Sequence, residues 1–73
     1  GALRSRTIKL IQKRLALYRL YEGRVDGVIG MKTVNAIDLF KIKNGYEVGG
    51  YLDKVTLEQL GVYGFIFKNG ELN

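Results

Sequence analysis

The chain has 73 residues, 47% hydrophobic and 26% charged, with a formal net charge of +5. This length allows one domain with a small core, and the composition excludes an intrinsically disordered chain. No apolar run approaches the roughly 20 residues of a membrane-spanning helix, and the basic N-terminus does not read as a signal peptide, so we expect any export signal to lie outside this chain.

Cysteine and histidine are both absent. Their absence removes disulfides, the usual metal ligands, thiol nucleophiles and the commonest general base. Glu22 and Asp26 are the closest approach to a catalytic acidic pair, and a core this small offers little of the enclosed pocket that such a pair requires. We therefore expect no metal, no cofactor and no catalysis.

The first helix is predicted to start near Thr7, with Ser5 or Thr7 as its N-cap, and to run to about Leu20. Its apolar residues recur at helical spacing at Ile8, Ile11, Leu15 and Tyr18. Residues 1–6 read as a disordered or cloning-derived N-terminus.

Basic residues dominate the first third of the chain. Glu22 is the sole acidic residue before Asp26, against a set of cations comprising Arg4, Arg6, Lys9, Lys13, Arg14, Arg19 and Arg24. Such a bias suits an anionic partner, and it equally suits a solvated helix face that keeps a small protein soluble.

Two further helices are predicted after the turn-rich stretch 22–27. The second follows Gly30 and ends at Asn44-Gly45, because both residues accept the left-handed conformation. The third is short, is capped by Asp53 and ends at Gly61.

Residues 25–37 and 48–60 share the pattern Val-x-Gly-x-x-x-x-x-Thr-x-x-x-Ile/Leu. Each copy is a loop followed by a helix, and neither buries its apolar side alone, so both should pack against the first helix. The prediction is an all-α three-helix bundle over residues 7–62.

The segment 63–73 is predicted to be an extended or hairpin tail, or the start of a linker. Phe65-Ile66-Phe67 is a β-prone run, and a turn signal follows it at Lys68-Asn69-Gly70. This run could also act as the adhesive strand of an assembly module.

The stretch 8–62 resembles the peptidoglycan-binding-domain-1 family. The likeness rests on Ile11-Gln12, the loop 21–27, the helix start 30–33, Phe40, and the weaker second copy up to Leu60. The sequence departs from the family pattern at Met31, where Pro is frequent, at Lys41, where Gln is frequent, at Gly49, where Asp is frequent, and at Asp53, where Gly is frequent.

The resemblance implies a three-helix, non-catalytic module that binds peptidoglycan, through its stem peptide or its glycan. It also implies an attached or neighbouring catalytic domain, such as a cell-wall hydrolase or a phage endolysin, and a location in the periplasm, the cell wall or outside the cell. We expect a monomer.

The candidate ligand-binding residues lie on the first loop and the start of the second helix: Tyr21, Arg24, Asp26, Gly27, Lys32 and Thr33. Tyr21 can lie against a sugar or peptide face, Arg24 or Lys32 can meet a carboxylate, and the helix start offers free N–H groups. Asp26-Gly27 and Thr33 also fit a purely structural turn and helix start. The first copy is preferred because Gly49 lacks the carboxylate of Asp26.

Two other functions remain open. A protein-interaction, pro-segment or assembly module is the first. A small basic nucleic-acid-binding domain is the second, but its cations gather on the first helix and not on a later recognition helix, so we expect no nucleic-acid partner.

Overall fold

The computed structural model describes residues 3–49 and 52–68. These ranges form four helices and no strand: α1 (Ser5–Leu17), α2 (Met31–Lys43), α3 (Lys54–Gln59) and α4 (Tyr63–Lys68). The predicted all-α class is confirmed. No described helix is long and apolar enough to cross a membrane.

Helix α1 begins earlier and ends earlier than its sequence pattern predicts. Arg4 occupies the N-cap position without a side-chain cap bond, so the prediction of Ser5 or Thr7 as N-cap is wrong. Thr7 is instead fully buried within the first turn. The helical conformation therefore starts two residues before the predicted domain boundary at residue 7.

The predicted ends of α2 and α3 are confirmed. Gly45 and Gly61 adopt left-handed φ angles of 73° and 79° directly after the C-cap residues Asn44 and Leu60. Glycine adopts this conformation without the steric penalty of a Cβ. The left-handed residue lets the backbone N–H groups that follow the C-cap donate to carbonyl oxygens of the last helical turn.

One continuous hydrophobic core joins all four helices and the first loop. Its buried members are Ile11, Leu15, Tyr21, Ala36, Ile37, Phe40, Leu57, Leu60, Val62 and Ile66. The two copies of the repeat contribute equivalent positions. Thr33 and Thr56 are each the third residue of their helix, and Ile37 and Leu60 are each 1% exposed.

The C-terminal segment is helical over residues 63–68, so the predicted extended or hairpin tail is wrong there. Val62 and Ile66 are fully buried, and helical spacing by four places both on the core side. This packing overrides the β propensity of the local run, and it removes the extended strand on which an adhesive role depended. The predicted turn residues Asn69-Gly70 lie outside the described residues.

Asp53 caps α3 as predicted. Its Oδ1 accepts hydrogen bonds from the backbone N–H of Thr56 at 2.9 Å and from the Thr56 hydroxyl at 2.6 Å. These bonds favour the ionised carboxylate, so they hold the pKa of Asp53 below its ordinary value.

We expect Asp53→Ala to lower the melting temperature by a few degrees at pH 7, because the first turn of α3 loses its cap. A carboxyl whose pKa is lower in the folded state than in the unfolded state stabilises the fold at any pH above its unfolded-state pKa. This stabilisation disappears as the pH falls through the folded-state pKa. Wild type and variant should therefore converge in thermal melts as the pH drops below about 3.9. A gap that persists at pH 2 would show that the ionised cap is not the cause.

Candidate functional site

The first loop is organised by one fully buried side chain, that of Gln12 on α1. Its Oε1 accepts hydrogen bonds from the backbone N–H groups of Asp26, at 3.1 Å, and Gly27, at 3.0 Å. The amide thereby satisfies two donors in the middle of the turn and fixes the turn against α1.

The Nε2 of Gln12 extends the same network to α2. It lies 3.0 Å from the carbonyl oxygen of Val28, 3.1 Å from the Asp26 carboxylate, 3.1 Å from the Thr33 hydroxyl and 3.2 Å from the Tyr21 hydroxyl. An amide nitrogen has two protons, so these four acceptors share them. Sequence reasoning missed this role, although a polar residue beside Ile11 on the buried side of α1 was the available signal.

Tyr21 is buried, with 7% of its surface exposed, so the prediction that its ring faces a ligand is not supported by its position. Its hydroxyl donates to the carbonyl oxygen of Arg24 and accepts from Gln12. The ring joins the core and Gly23 packs closely on the phenol end, since a Cβ there would lie 2.7 Å from the hydroxyl. Tyr21 therefore positions the loop and does not offer a ring face to a sugar.

Asp26 and Gly27 form the turn itself. The Asp26 carboxylate accepts from the backbone N–H of Val28 at 3.0 Å, and this bond, the Gln12 amide and the nearby Arg24 charge lower the pKa of Asp26. Gly27 is buried with φ at 76°, and a Cβ there would lie 2.1 Å from the hydroxyl oxygen of Ser5. Both residues thus have a structural role in the turn that accounts for their presence.

Arg24 on the first loop and Lys32 in the first turn of α2 are exposed, whereas Thr33 is buried. They border a shallow groove of about 260 Å³. Its lining comprises Tyr21, Arg24, Asp26, Val28, Gly30, Met31, Lys32 and Thr33. The structure therefore brings together all of the candidate residues except Gly27, which is buried and does not line the groove.

The start of α2 opens onto this groove. Gly30 is its N-cap residue and supplies no side-chain cap bond, in contrast to Asp53 at the start of α3. An uncapped helix start carries a partial positive charge, and Arg24 and Lys32 add to it. Val28 and Met31, which are 61% and 74% exposed, supply apolar surface beside these charges. The groove suits a carboxylate that has a small apolar group next to it.

The second copy of the repeat is built differently. Lys41 is fully buried, and its charge contributes to the lowered pKa of Asp53, whose carboxylate closes the start of α3. Gly49 offers no side chain to a ligand. Within residues 3–49 and 52–68, no group of three or more acidic residues is placed to hold a metal ion.

The comparisons with known proteins identify a family. A family model described as "Putative peptidoglycan binding domain" matches residues 4–60, which include α1, both loops, α2 and α3. No curated protein and no solved structure shows a significant match. The resemblance drawn from the sequence is confirmed at the level of the family.

Proposed function

Since the chain belongs to the peptidoglycan-binding domain family, we propose that it binds the bacterial cell wall through the groove between its first loop and α2. The family is one of binding domains and not of catalytic domains. In this proposal the module holds an attached or neighbouring cell-wall hydrolase, or a phage lysin, against its substrate. Its place of action is the periplasm, the cell wall or the cell exterior.

The observation that carries the proposal is the open start of α2 beside two exposed cations, Arg24 and Lys32. Peptidoglycan stem peptides present carboxylates next to small apolar side chains, and their carboxylates pair well with guanidinium and ammonium groups. The buried Gln12 network holds the groove in shape before a ligand arrives, so little ordering free energy is lost on binding.

We expect the double variant Arg24→Ala, Lys32→Ala to lose roughly tenfold or more of its affinity for purified sacculi, because both charge-assisted contacts disappear. The measurement is co-sedimentation over a range of protein concentrations. Neither side chain takes part in the Gln12 network, so circular dichroism and the melting temperature should stay close to wild type.

The matched control is Lys9→Ala, Lys13→Ala, which removes the same charge from the exposed face of α1. It should retain most of the binding. Equal losses in both double variants would indicate a diffuse attraction between a basic protein and an anionic wall, and no loss in either would remove the groove as the site. Retention of a duplex DNA probe without retention on sacculi would favour a nucleic-acid-binding domain.

A further inference from the structure

We propose that a second groove, between the segment that follows α1 and one face of α2, binds the carboxylate end of a short peptide, with Arg19 as the carboxylate-binding residue. The choice of a wall stem peptide as the source of that carboxylate rests on the proposed function. The assignment of the groove to a peptide carboxylate rests on the geometry that follows.

Three helices within residues 3–49 and 52–68 end in the same backbone motif. In each, the N–H of the residue after the C-cap donates to the carbonyl three positions earlier, and the N–H of the next residue donates to the carbonyl five positions earlier. The bonds that reach five positions back are Leu20 to Leu15 at 3.0 Å, Tyr46 to Lys41 at 2.8 Å and Val62 to Leu57 at 3.0 Å. This arrangement requires a left-handed residue directly after the C-cap.

Glycine fills that position after α2 and α3, and Arg19 fills it after α1, with φ at 60°. Among the described residues, Arg19 is the single non-glycine residue with a positive φ. A side chain with a Cβ is strained in this region relative to glycine. The chain therefore has an arginine at a position where glycine would be less strained, as Gly45 and Gly61 are at the two equivalent positions.

A cation at the end of a helix gains some stabilisation from the helix dipole. That gain does not require this position, because Arg14 already places a cation in the last turn of α1. A role for the Arg19 side chain outside the helix explains the exception better.

The Arg19 side chain borders a groove of about 380 Å³. Leu20, Ala36 and Leu39 line its apolar part, and Arg19, Glu22, Lys32 and Asn35 line its polar part. Residues 32, 35, 36 and 39 lie on one face of α2 by helical spacing.

The lining fits a small peptide that carries a free carboxylate and an amine. Arg19 gives one positive charge, and Lys32, which also borders the first groove, gives a second. A guanidinium pairs with a carboxylate through two parallel hydrogen bonds. Asn35 can both donate to and accept from a peptide group. The apolar surface takes methyl-sized side chains, and Glu22 supplies the counter-charge for an amine such as that of a diamino acid.

The test uses Arg19→Gly and a soluble stem tetrapeptide, L-alanyl-γ-D-glutamyl-L-lysyl-D-alanine, titrated into the ¹⁵N-labelled chain. Wild type should show shifts of the backbone amides of residues 19–22 and 35–39. Arg19→Gly should weaken peptide binding roughly tenfold or more, because a charge-assisted pair is lost. Its melting temperature should equal or exceed that of wild type, because glycine relieves the left-handed backbone.

Lys9→Ala is the control for the loss of one charge and should bind the peptide as wild type does. The same peptide with a C-terminal amide should bind wild type about as weakly as the free peptide binds Arg19→Gly. Unchanged peptide affinity in Arg19→Gly, or equal affinity for acid and amide, would overturn the assignment. If wild type binds sacculi but Arg19→Gly binds the peptide as wild type does, only the assignment of this groove is overturned. If wild type does not bind sacculi, the proposed function is overturned.

Discussion

Replacing Gln12 with leucine is expected to destabilise the domain by about 3 kcal/mol, because each buried polar group that loses its partner costs roughly 1–3 kcal/mol. The Gln12 amide serves the N–H groups of Asp26 and Gly27 and the carbonyl of Val28. Leucine has a similar volume, so the loss reports hydrogen bonding and not an empty cavity. Urea denaturation should show the loss, and the melting temperature should fall by roughly 10–20 °C.

The substitutions Gln12→Glu and Asp26→Asn distinguish the role of the Gln12 Oε1 acceptor from that of the Nε2 donor. Glutamate keeps the acceptor for the two N–H groups and faces the Asp26 carboxylate, where the amide nitrogen now lies 3.1 Å away. Gln12→Glu alone should therefore destabilise the domain, and the added Asp26→Asn should restore part of the loss by supplying a donor. Stability of Gln12→Leu within experimental error of wild type would show that Gln12 does not hold the loop.

Gly27→Ala should destabilise the domain by about 3 kcal/mol, through two separate causes. The left-handed φ of 76° penalises any Cβ by roughly 1–2 kcal/mol. The new Cβ would also lie 2.8 Å from the backbone carbonyl oxygen of Ser5, which cannot rotate away as a side chain can. Relief of that overlap requires the first loop to move off the start of α1.

Gly45→Ala is the matched control, because Gly45 has a φ of 73° and open space around its Cβ position. It should show the backbone penalty alone, about 1 kcal/mol. Gly27→Ala should therefore cost clearly more in urea denaturation and should also weaken sacculus binding among the molecules that remain folded. Equal costs for the two variants would mean that the loop does not pack closely on α1.

The sequence predicts α2 and α3 well because local chemistry decides their limits. Asn44-Gly45, Asp53 and Gly61 are residue types whose backbone preferences or side-chain oxygens end or start a helix without help from distant contacts. The end of α1 at Leu17 was not predictable in this way, since Arg19 takes the left-handed position that glycine takes elsewhere. Helix α4 depends on the burial of Ile66 in the shared core, which the local β-prone run does not indicate.

The candidate site also combines features that local sequence predicts with features that depend on distant contacts. Arg24 and Lys32 lie exposed at the groove, and the turn needs neither side chain. Whether they contact a ligand is a prediction. The burial of Tyr21 could not be derived from its neighbours, since its ring packs in the core and its hydroxyl contacts Gln12, nine residues earlier on another element. Polar side chains that satisfy a distant loop give only a weak signal in a single sequence.

We propose that this chain binds the cell wall without cleaving it. The most direct measurement is incubation of the purified chain with purified sacculi, followed by sedimentation and by assay of the supernatant for soluble muropeptides. We predict that the chain sediments with the sacculi, that Arg24→Ala, Lys32→Ala stays largely in the supernatant, and that no muropeptides are released. A wild-type chain that remains in the supernatant, or that releases muropeptides by itself, would contradict the account.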